Sequence, residues 1–237
     1  MTMKIAVISD IHGNYEALEK VIEDMEQFKI DEVYCLGDVI SLGHQTNEVL
    51  SVLSEMENLT MITGNHDDEV IKALKGMKSR VNGPEHEHHL WVSQHIDPGY
   101  IHMLENLPLT TEKRMDGHRI LLTHYHLDGC RYRSIEESPS LDLLEEIYGQ
   151  EAYSVVLYGH DHIIQHFKTS GPVMVNPGAL GVTETPFAPY AILELKDDGA
   201  INTMFRNVPY DRRKFIEGLK NENPPALDFI MEFLLKE

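Results

Sequence analysis

The sequence predicts a mixed α/β fold that starts on parallel strands and carries an inserted helical cap. Three observations support this. Short apolar runs alternate with helix-spaced segments through the first 67 residues, the pattern of parallel strands joined by helices. A polar stretch with helical character and no strong strand run follows, from about 68 to 106. Beyond it the chain turns β-rich and closes on helices.

Taken in order, residues 3–8 read as a buried strand in which Lys4 is the only charge. Asn14 is a good N-cap for a helix over about 15–27, where Leu18, Val21, Ile22 and Met25 recur at helical spacing. Residues 33–36 are a second apolar run, ending at Gly37-Asp38. Residues 46–56 look helical, with Val49, Leu50, Val52 and Leu53 as the apolar face. Residues 59–62 make a third strand, ending at Gly64-Asn65-His66-Asp67. Gly83-Pro84 and Pro98-Gly99 punctuate the helical middle. Strands resume at about 109–114 and 118–123, a long loop covers 124–138, and a helix follows over 140–149. Residues 155–158 are another strand, ending at Gly159-His160-Asp161-His162. Strands are expected at 163–169, 172–175, 189–196 and 200–206, the last two joined by an Asp197-Asp198-Gly199 hairpin turn. Helices at about 210–220 and 225–236 end the chain. No repeat or low-complexity segment interrupts residues 1–237, which read as one domain with the cap inserted into it.

Composition narrows the function. Of 237 residues, 42% are hydrophobic and 25% charged, as in ordinary packed proteins. Lys and Arg number 20 against 39 Asp and Glu, a net charge of −19. That argues against a protein that forms a stable nucleic-acid complex or rests on an anionic membrane, since both need a basic surface. It still admits a small phosphorylated substrate if bound metal ions supply positive charge locally. No apolar run approaches the ~20 residues of a membrane span, and the first residues lack a signal-peptide pattern. Two cysteines, Cys35 and Cys130, are too few for a disulfide framework, and Cys35 reads as a small core residue. A cytoplasmic location is expected. The 14 histidines are the compositional excess that calls for explanation.

The histidines and acids fall in a positional pattern. Five apolar runs each end in a metal-ligand type of residue: Asp10 and His12, Asp38, Asn65 and His66, His124, then His160 and His162. In open α/β sheets, ligands bind beyond the carboxyl ends of the strands. Imidazole nitrogen with carboxylate and amide oxygen, and no thiolate, suits Mn²⁺, Fe²⁺, Zn²⁺ or Co²⁺. Such a donor set is too large for one ion and fits two ions sharing a carboxylate. Period-two alternation is expected to put Asp10 and His12 on one side of their segment, and His160 and His162 on one side of theirs.

Asp10-x-His12, Gly37-Asp38, Gly64-Asn65-His66-Asp67, His124 and Gly159-His160-x-His162 resemble, in order and spacing, the motif set of the calcineurin-like metallophosphoesterases. Asn176-Pro177-Gly178 resembles the compact bacterial phosphodiesterase branch. The resemblance implies a four-layer sandwich of two mixed β-sheets flanked by helices, with two divalent metal ions at one edge. It implies Asp10, His12 and His162 on one ion, Asn65, His124 and His160 on the other, and Asp38 bridging them. His66 is then the catalytic residue facing the substrate phosphate, which is attacked by a hydroxide held between the ions. The implied enzyme hydrolyses phosphodiester or phosphoanhydride bonds of a small nucleotide-like substrate, diadenosine tetraphosphate among the possibilities. A phosphomonoesterase is the alternative with the same site chemistry. A non-catalytic metal-binding regulator is the alternative of another class. The protein phosphatases of the superfamily carry an Asp and an Arg where this chain has Ser41 and Leu42, which argues against that activity and leaves open what orients His66. Tyr125 replaces the usual glycine after His124.

Other residues carry plainer expectations. His86, His88 and His89 read as a solvated helix face, and so do His95 and His102. His118 and His166 read as half-exposed sheet residues, and Trp91 as a cap anchor. His44 and His126 are expected to face the substrate. Arg131 and Arg133, in the loop after His124, are candidates to grip phosphate. The C-terminal helix is expected to pack against the body or to serve a homo-oligomer.

Overall fold

Alternate side chains of one strand feed two different cores. In β1 (Met3–Ile8), Ile5 and Val7 face one cluster while Ala6 and Ile8 face another. β2 (Glu32–Cys35) does the same, with Tyr34 on the first side and Val33 and Cys35 on the second. Strands buried on both faces read as continuous apolar runs, which is why the sequence marks them without saying which face is which. The structure, a computed structural model, describes residues 2–135, 139–149, 151–168 and 171–234.

β1 pairs in parallel with β2, and β2 with β3 (Leu59–Met61). The helices between them are α1 (Tyr15–Met25), capped by the Asn14 side chain, and α2 (Thr46–Glu55). Three helices follow: α3 (Asn65–Leu74), α4 (Pro84–His95) and α5 (Pro98–Glu105). β4 (Thr110–Met115) and β5 (His118–Thr123) form an antiparallel pair. The segment expected as loop contains a small hairpin, β6 (Leu127–Asp128) and β7 (Arg131–Tyr132); its residues 136–138 lie outside the described ones. α6 (Leu141–Tyr148) is capped by Ser140. β8 (Val155–Leu157), β9 (Ile164–Lys168) and β10 (Val173–Pro177) follow, then the long hairpin β11 (Phe187–Leu195) and β12 (Ile201–Pro209). α7 (Arg212–Glu222) starts at the Asp211 cap. The last expected helix is shorter than anticipated: α8 (Leu227–Phe229) passes into a π-helical turn over 230–234, and residues 235–237 lie outside the described ones.

Two five-stranded mixed sheets result, in the orders β12-β11-β1-β2-β3 and β4-β5-β8-β10-β9. Ile5, Val7, Ile120, Leu122, Val155 and Leu157 interdigitate between them. α1, α2 and α7 cover the outer face of the first sheet through Leu18, Val21, Val49, Leu50, Phe215 and Leu219. α6 covers the second sheet through Leu144 and Tyr148, against Val156 and Met174. Helix, sheet, sheet and helix are the four layers. β1, β2, β3, β5 and β8 bring their carboxyl ends to one edge.

α4 departs from expectation. Its buried face is His88, His89 and Val92, so the His-rich tract is turned inward rather than solvated. Polar residues on the buried face leave no apolar periodicity to read. His95 and His102 are exposed, as expected, and His86 is half-buried. His118 is buried, whereas His166 stays exposed. Trp91 packs beside the main core.

His88 carries a pH consequence. Its Nδ1 meets the Pro225 carbonyl at 3.0 Å, and burial pushes it from the ordinary 6.5 down to about 4. The folded chain therefore holds His88 neutral where the unfolded chain already binds a proton. Its contribution is fully present above about pH 6.5 and is lost as pH falls toward about 4, a loss of up to about 3 kcal/mol. Urea midpoints of metal-free protein at pH 7 and pH 4.5 are expected to fall less in His88→Phe than in the unaltered chain. Equal falls would remove His88 from the acid response.

Candidate metal centre

Backbone links bring the strand ends together. Asp10 N–H donates to the Gly37 carbonyl (3.1 Å) and His12 N–H to the Asp38 carbonyl (2.9 Å), joining the loops after β1 and β2. Gly159 N–H donates to the His124 carbonyl (2.8 Å), joining those after β5 and β8. Gly181 N–H donates to the Asp10 carbonyl (3.0 Å). Asn176 Nδ2 donates to the Gly159 carbonyl (3.1 Å) and to Asp161 Oδ1 (2.6 Å), so the Asn176-Pro177-Gly178 turn braces the His160 loop from behind.

Two clusters of donor atoms follow. Asp10, His12 and His162 converge in one, and Asp38, His124 and His160 in the other. Asn65, first residue of α3, joins the second: its Oδ1 is 3.0 Å from His124 Nε2. Asp38 Oδ2 lies 3.2 Å from His124 Nε2 and 3.8 Å from His12 Nε2, between the clusters. His124 Nδ1 is 2.7 Å from the Leu36 carbonyl, which fixes the ring with Nε2 toward the cluster.

His160 goes to Asp38 and His124, and His162 to Asp10 and His12, the division that the family resemblance implies. The period-two expectation, which put His160 and His162 on one side of an extended segment, needs correction. The segments are not extended. Asp10, His12, Asp38, His160 and His162 all have positive φ, between 48° and 74°. For residues other than glycine that conformation is uncommon and strained, and its clustering here marks a functional site.

Electrostatics agree with a cation site. Burial works to raise Asp10, but the ionic contact with His162, whose Nε2 lies 3.5 Å from Oδ1, outweighs it and holds its carboxyl low. Asp38 is likewise held well below the carboxylate range, with His124 and His66 overcoming burial. Burial pushes His12 and His160 down to about 4 each. Burial acts the same way on His124, yet Asp38 raises it to about 9. Asp10 Oδ1 and His12 Nδ1 are buried without a hydrogen-bond partner. A buried carboxylate oxygen with no hydrogen bond, beside the imidazoles of His12 and His160 that burial keeps neutral, is a donor set that fits divalent ions.

The remaining expected residues fall in several places. His66 is beside the centre: its ring stands edge-on to His12 at 5.1 Å, and its backbone N–H donates to Asp38 Oδ1 at 2.9 Å. Asp67 points away from it and accepts from Gly64 N–H (2.9 Å), Val39 N–H (3.0 Å) and Ile40 N–H (3.1 Å), clamping α3 to the β2 loop. His44, expected to face the substrate, packs under α7 instead, 5.4 Å from the Phe215 ring; the missing side chain of Gly218 makes room for it. His126 is buried, with Nδ1 2.9 Å from Tyr148 Oη. It lines a cavity of about 430 Å³ together with Arg131, Tyr132 and Arg133. Tyr132, which the sequence did not single out, stacks on His160 at 5.8 Å and stands edge-on to His124 at 5.6 Å. His89 and Glu85 were also missed; both approach His66. Their i, i+4 spacing on a helix was the available signal.

Two mixed sheets back to back, with nitrogen and oxygen donors clustered at one edge, define a metallophosphoesterase-type sandwich. The chain belongs to the calcineurin-like phosphoesterase superfamily, whose domain model matches residues 3–198. It is 27% identical to an uncharacterized protein of Methanocaldococcus jannaschii, over 94% of this chain and 95% of that one. A phosphodiesterase of the same organism is 25% identical over 74% of this chain and 83% of its own length. A symmetrical bis(5'-nucleosyl)-tetraphosphatase of Paracidovorax citrulli is 31% identical over 52% of this chain and 44% of its own. Among solved structures, a hypothetical protein of Pyrococcus horikoshii OT3 superposes with a TM-score of 0.83 at 18% identity, covering 98% of each chain. A metallophosphoesterase of Sphaerobacter thermophilus gives 0.77 at 20% identity, covering 100% of this chain and 99% of its own. These two likenesses are of fold. Among the described residues, no helix is long and apolar enough to cross a membrane.

Proposed function

We propose that this protein is a dinuclear metal-dependent phosphoesterase that hydrolyses phosphodiester or phosphoanhydride bonds of a small nucleotide-like substrate. The observation that carries this reading is Asp38, whose carboxylate lies between two triads of nitrogen and oxygen donors. Asp10, His12 and His162 would hold one ion, and Asn65, His124 and His160 the other, with Asp38 shared. Bound there, the ions would supply the positive charge that phosphate needs and the Lewis acidity that activates water. The likeness to a phosphodiesterase and a dinucleoside tetraphosphatase supports the substrate class.

The chain's own residues have defined tasks in this reading. Asp38 accepts the His66 backbone N–H and so ties α3 to the centre. His66 faces the phosphate and donates a hydrogen bond where charge develops. Tyr132 walls the site over His160 and His124 and excludes water there. Arg131 and Arg133, in the adjoining cavity, receive the substrate's further phosphate groups. The chain acts as one domain, with 68–106 as its cap and the helical segments at 212–222 and 227–234 as packing or oligomer elements.

The test is a matrix of Mn²⁺, Mg²⁺, Zn²⁺ and Co²⁺ against a diester, a monoester and a dinucleoside polyphosphate, with metal content measured on the same protein. Two ions per chain and turnover of the diester or the polyphosphate are expected. A monoester preference would overturn the substrate assignment, and metals bound without any turnover would favour a regulator. Replacing Arg131 and Arg133 by Ala is expected to raise KM for the polyphosphate about tenfold or more, with a smaller change for the diester.

A further inference from the structure

A catalytic imidazole needs its ring held and its proton on the correct nitrogen. In sequence, Asp67 is the nearest candidate to do this for His66, but its carboxylate is committed to the amides of Gly64, Val39 and Ile40. The partner lies on α4. His89 Nε2 is 2.9 Å from His66 Nδ1, with the two ring centroids 5.1 Å apart and the planes at 62°. His89 is 1% exposed. Glu85 Oε1, at 3.9 Å from the same nitrogen, is beyond hydrogen-bond range.

The direction of this bond follows from the far side of His89, whose Nδ1 is buried without a partner. If His66 donated, His89 would carry its proton on Nδ1, as a buried N–H with no acceptor. Orphaned buried N–H groups are rare in folded proteins, because each carries the full desolvation penalty of an unmade hydrogen bond. If His89 donates through Nε2–H, its Nδ1 is a bare ring nitrogen with no proton to satisfy. The second arrangement puts the His66 proton on Nε2, the nitrogen not engaged by α4.

We propose that His89 is the positioning residue of His66: its Nε2–H donates to His66 Nδ1, fixes the ring, and leaves His66 as an Nε2–H donor toward the substrate. α4 then completes the site as well as roofing it. This inference rests on the role proposed for His66 above.

The tautomer can be read directly. Imidazole ¹⁵N shifts of His66 in Zn²⁺-loaded protein are expected to show the Nε2–H form, and to lose that preference in His89→Leu. An Nδ1–H form in the unaltered protein would overturn the proposal. Kinetics give a second arm. His89→Leu is expected to lower kcat on a diester about 10- to 100-fold with KM within about threefold. His89→Gln, which returns an N–H donor near the Nε2 position, is expected to recover most of that loss. A glutamine variant as impaired as leucine, with an unchanged Tm, would leave His89 a packing residue. Glu85→Gln is expected to leave kcat within about twofold, and a loss matching that of the leucine variant would make Glu85 the partner instead. Metal content separates the remaining reading: a third ion in the unaltered protein, lost in His89→Leu, would make His66, Glu85 and His89 a cation site and overturn the positioning role. If no phosphoester is turned over with any metal, the function proposed above fails, while the ¹⁵N shifts still decide the hydrogen bond.

Discussion

Asp38→Asn is expected to lose both ions and to lower kcat/KM on the preferred diester by on the order of 10³-fold or more. The substitution is nearly isosteric, so shape is not the cause. Asp38 Oδ1 accepts the His66 backbone N–H at 2.9 Å, and an asparagine oxygen can keep that bond. Oδ2, at 3.2 Å from His124 and 3.8 Å from His12, would become an NH₂ group that turns donors toward the place of the cations. The shared negative charge disappears from both triads at once, leaving Asp10 as the only carboxylate of the two. Elemental analysis of dialysed protein is the direct check, with calorimetric titration of the same metal beside it. An asparagine variant that keeps two ions per chain and activity within tenfold would end the shared-carboxylate reading.

Gly64→Ala carries the second large effect, although it changes no ligand. Gly64 sits in ordinary extended backbone (φ −97°, ψ −177°), so alanine is conformationally acceptable there. The obstacle is space: an added Cβ would run into Asp38 Oδ1 and the Asp38 amide, and would stand 2.7 Å from Asp38 Cγ. These are backbone and a buried carboxylate, with no flexible tip to swing aside. The first turn of α3 must then back away from the β2 loop, taking Asn65 and His66 with it and loosening the Asp67 clamp. Overpacking of this kind costs about 1–3 kcal/mol, or roughly 3–10 °C in Tm. A displacement of about 1 Å at the reacting groups costs on the order of 10²-fold in kcat. Thermal melts, metal content and kcat together test the claim. Unchanged kcat would show that α3 can retreat without moving the centre.

Both effects concern contacts between residues far apart in the chain, and that is where sequence reading reached its limit. The strand ends were legible because a run such as Val33–Cys35 is apolar on both faces and stops at Gly37-Asp38. The donor residues were legible because their types recur at those ends in a family's order. The family resemblance divided His160 and His162 between two clusters as the structure does, but the period-two argument that put them on one side did not hold, because both residues have positive φ rather than extended backbone. His88 and His89 were misjudged for a related reason: local patterning takes histidine as polar, yet α4 buries both where helix meets core. His44 followed the right loop and still ended under α7, against Phe215 from a segment about 170 residues later.

The linear chain by itself determined which donors this protein has and that each would follow a strand, since apolar runs and chemical types are local properties. Only the folded arrangement decided that Asp67 clamps rather than orients, that His44 turns under α7, and that a histidine of α4 reaches His66. Those outcomes depend on backbone twist and on packing between distant segments, and neither is written in any stretch of neighbouring residues.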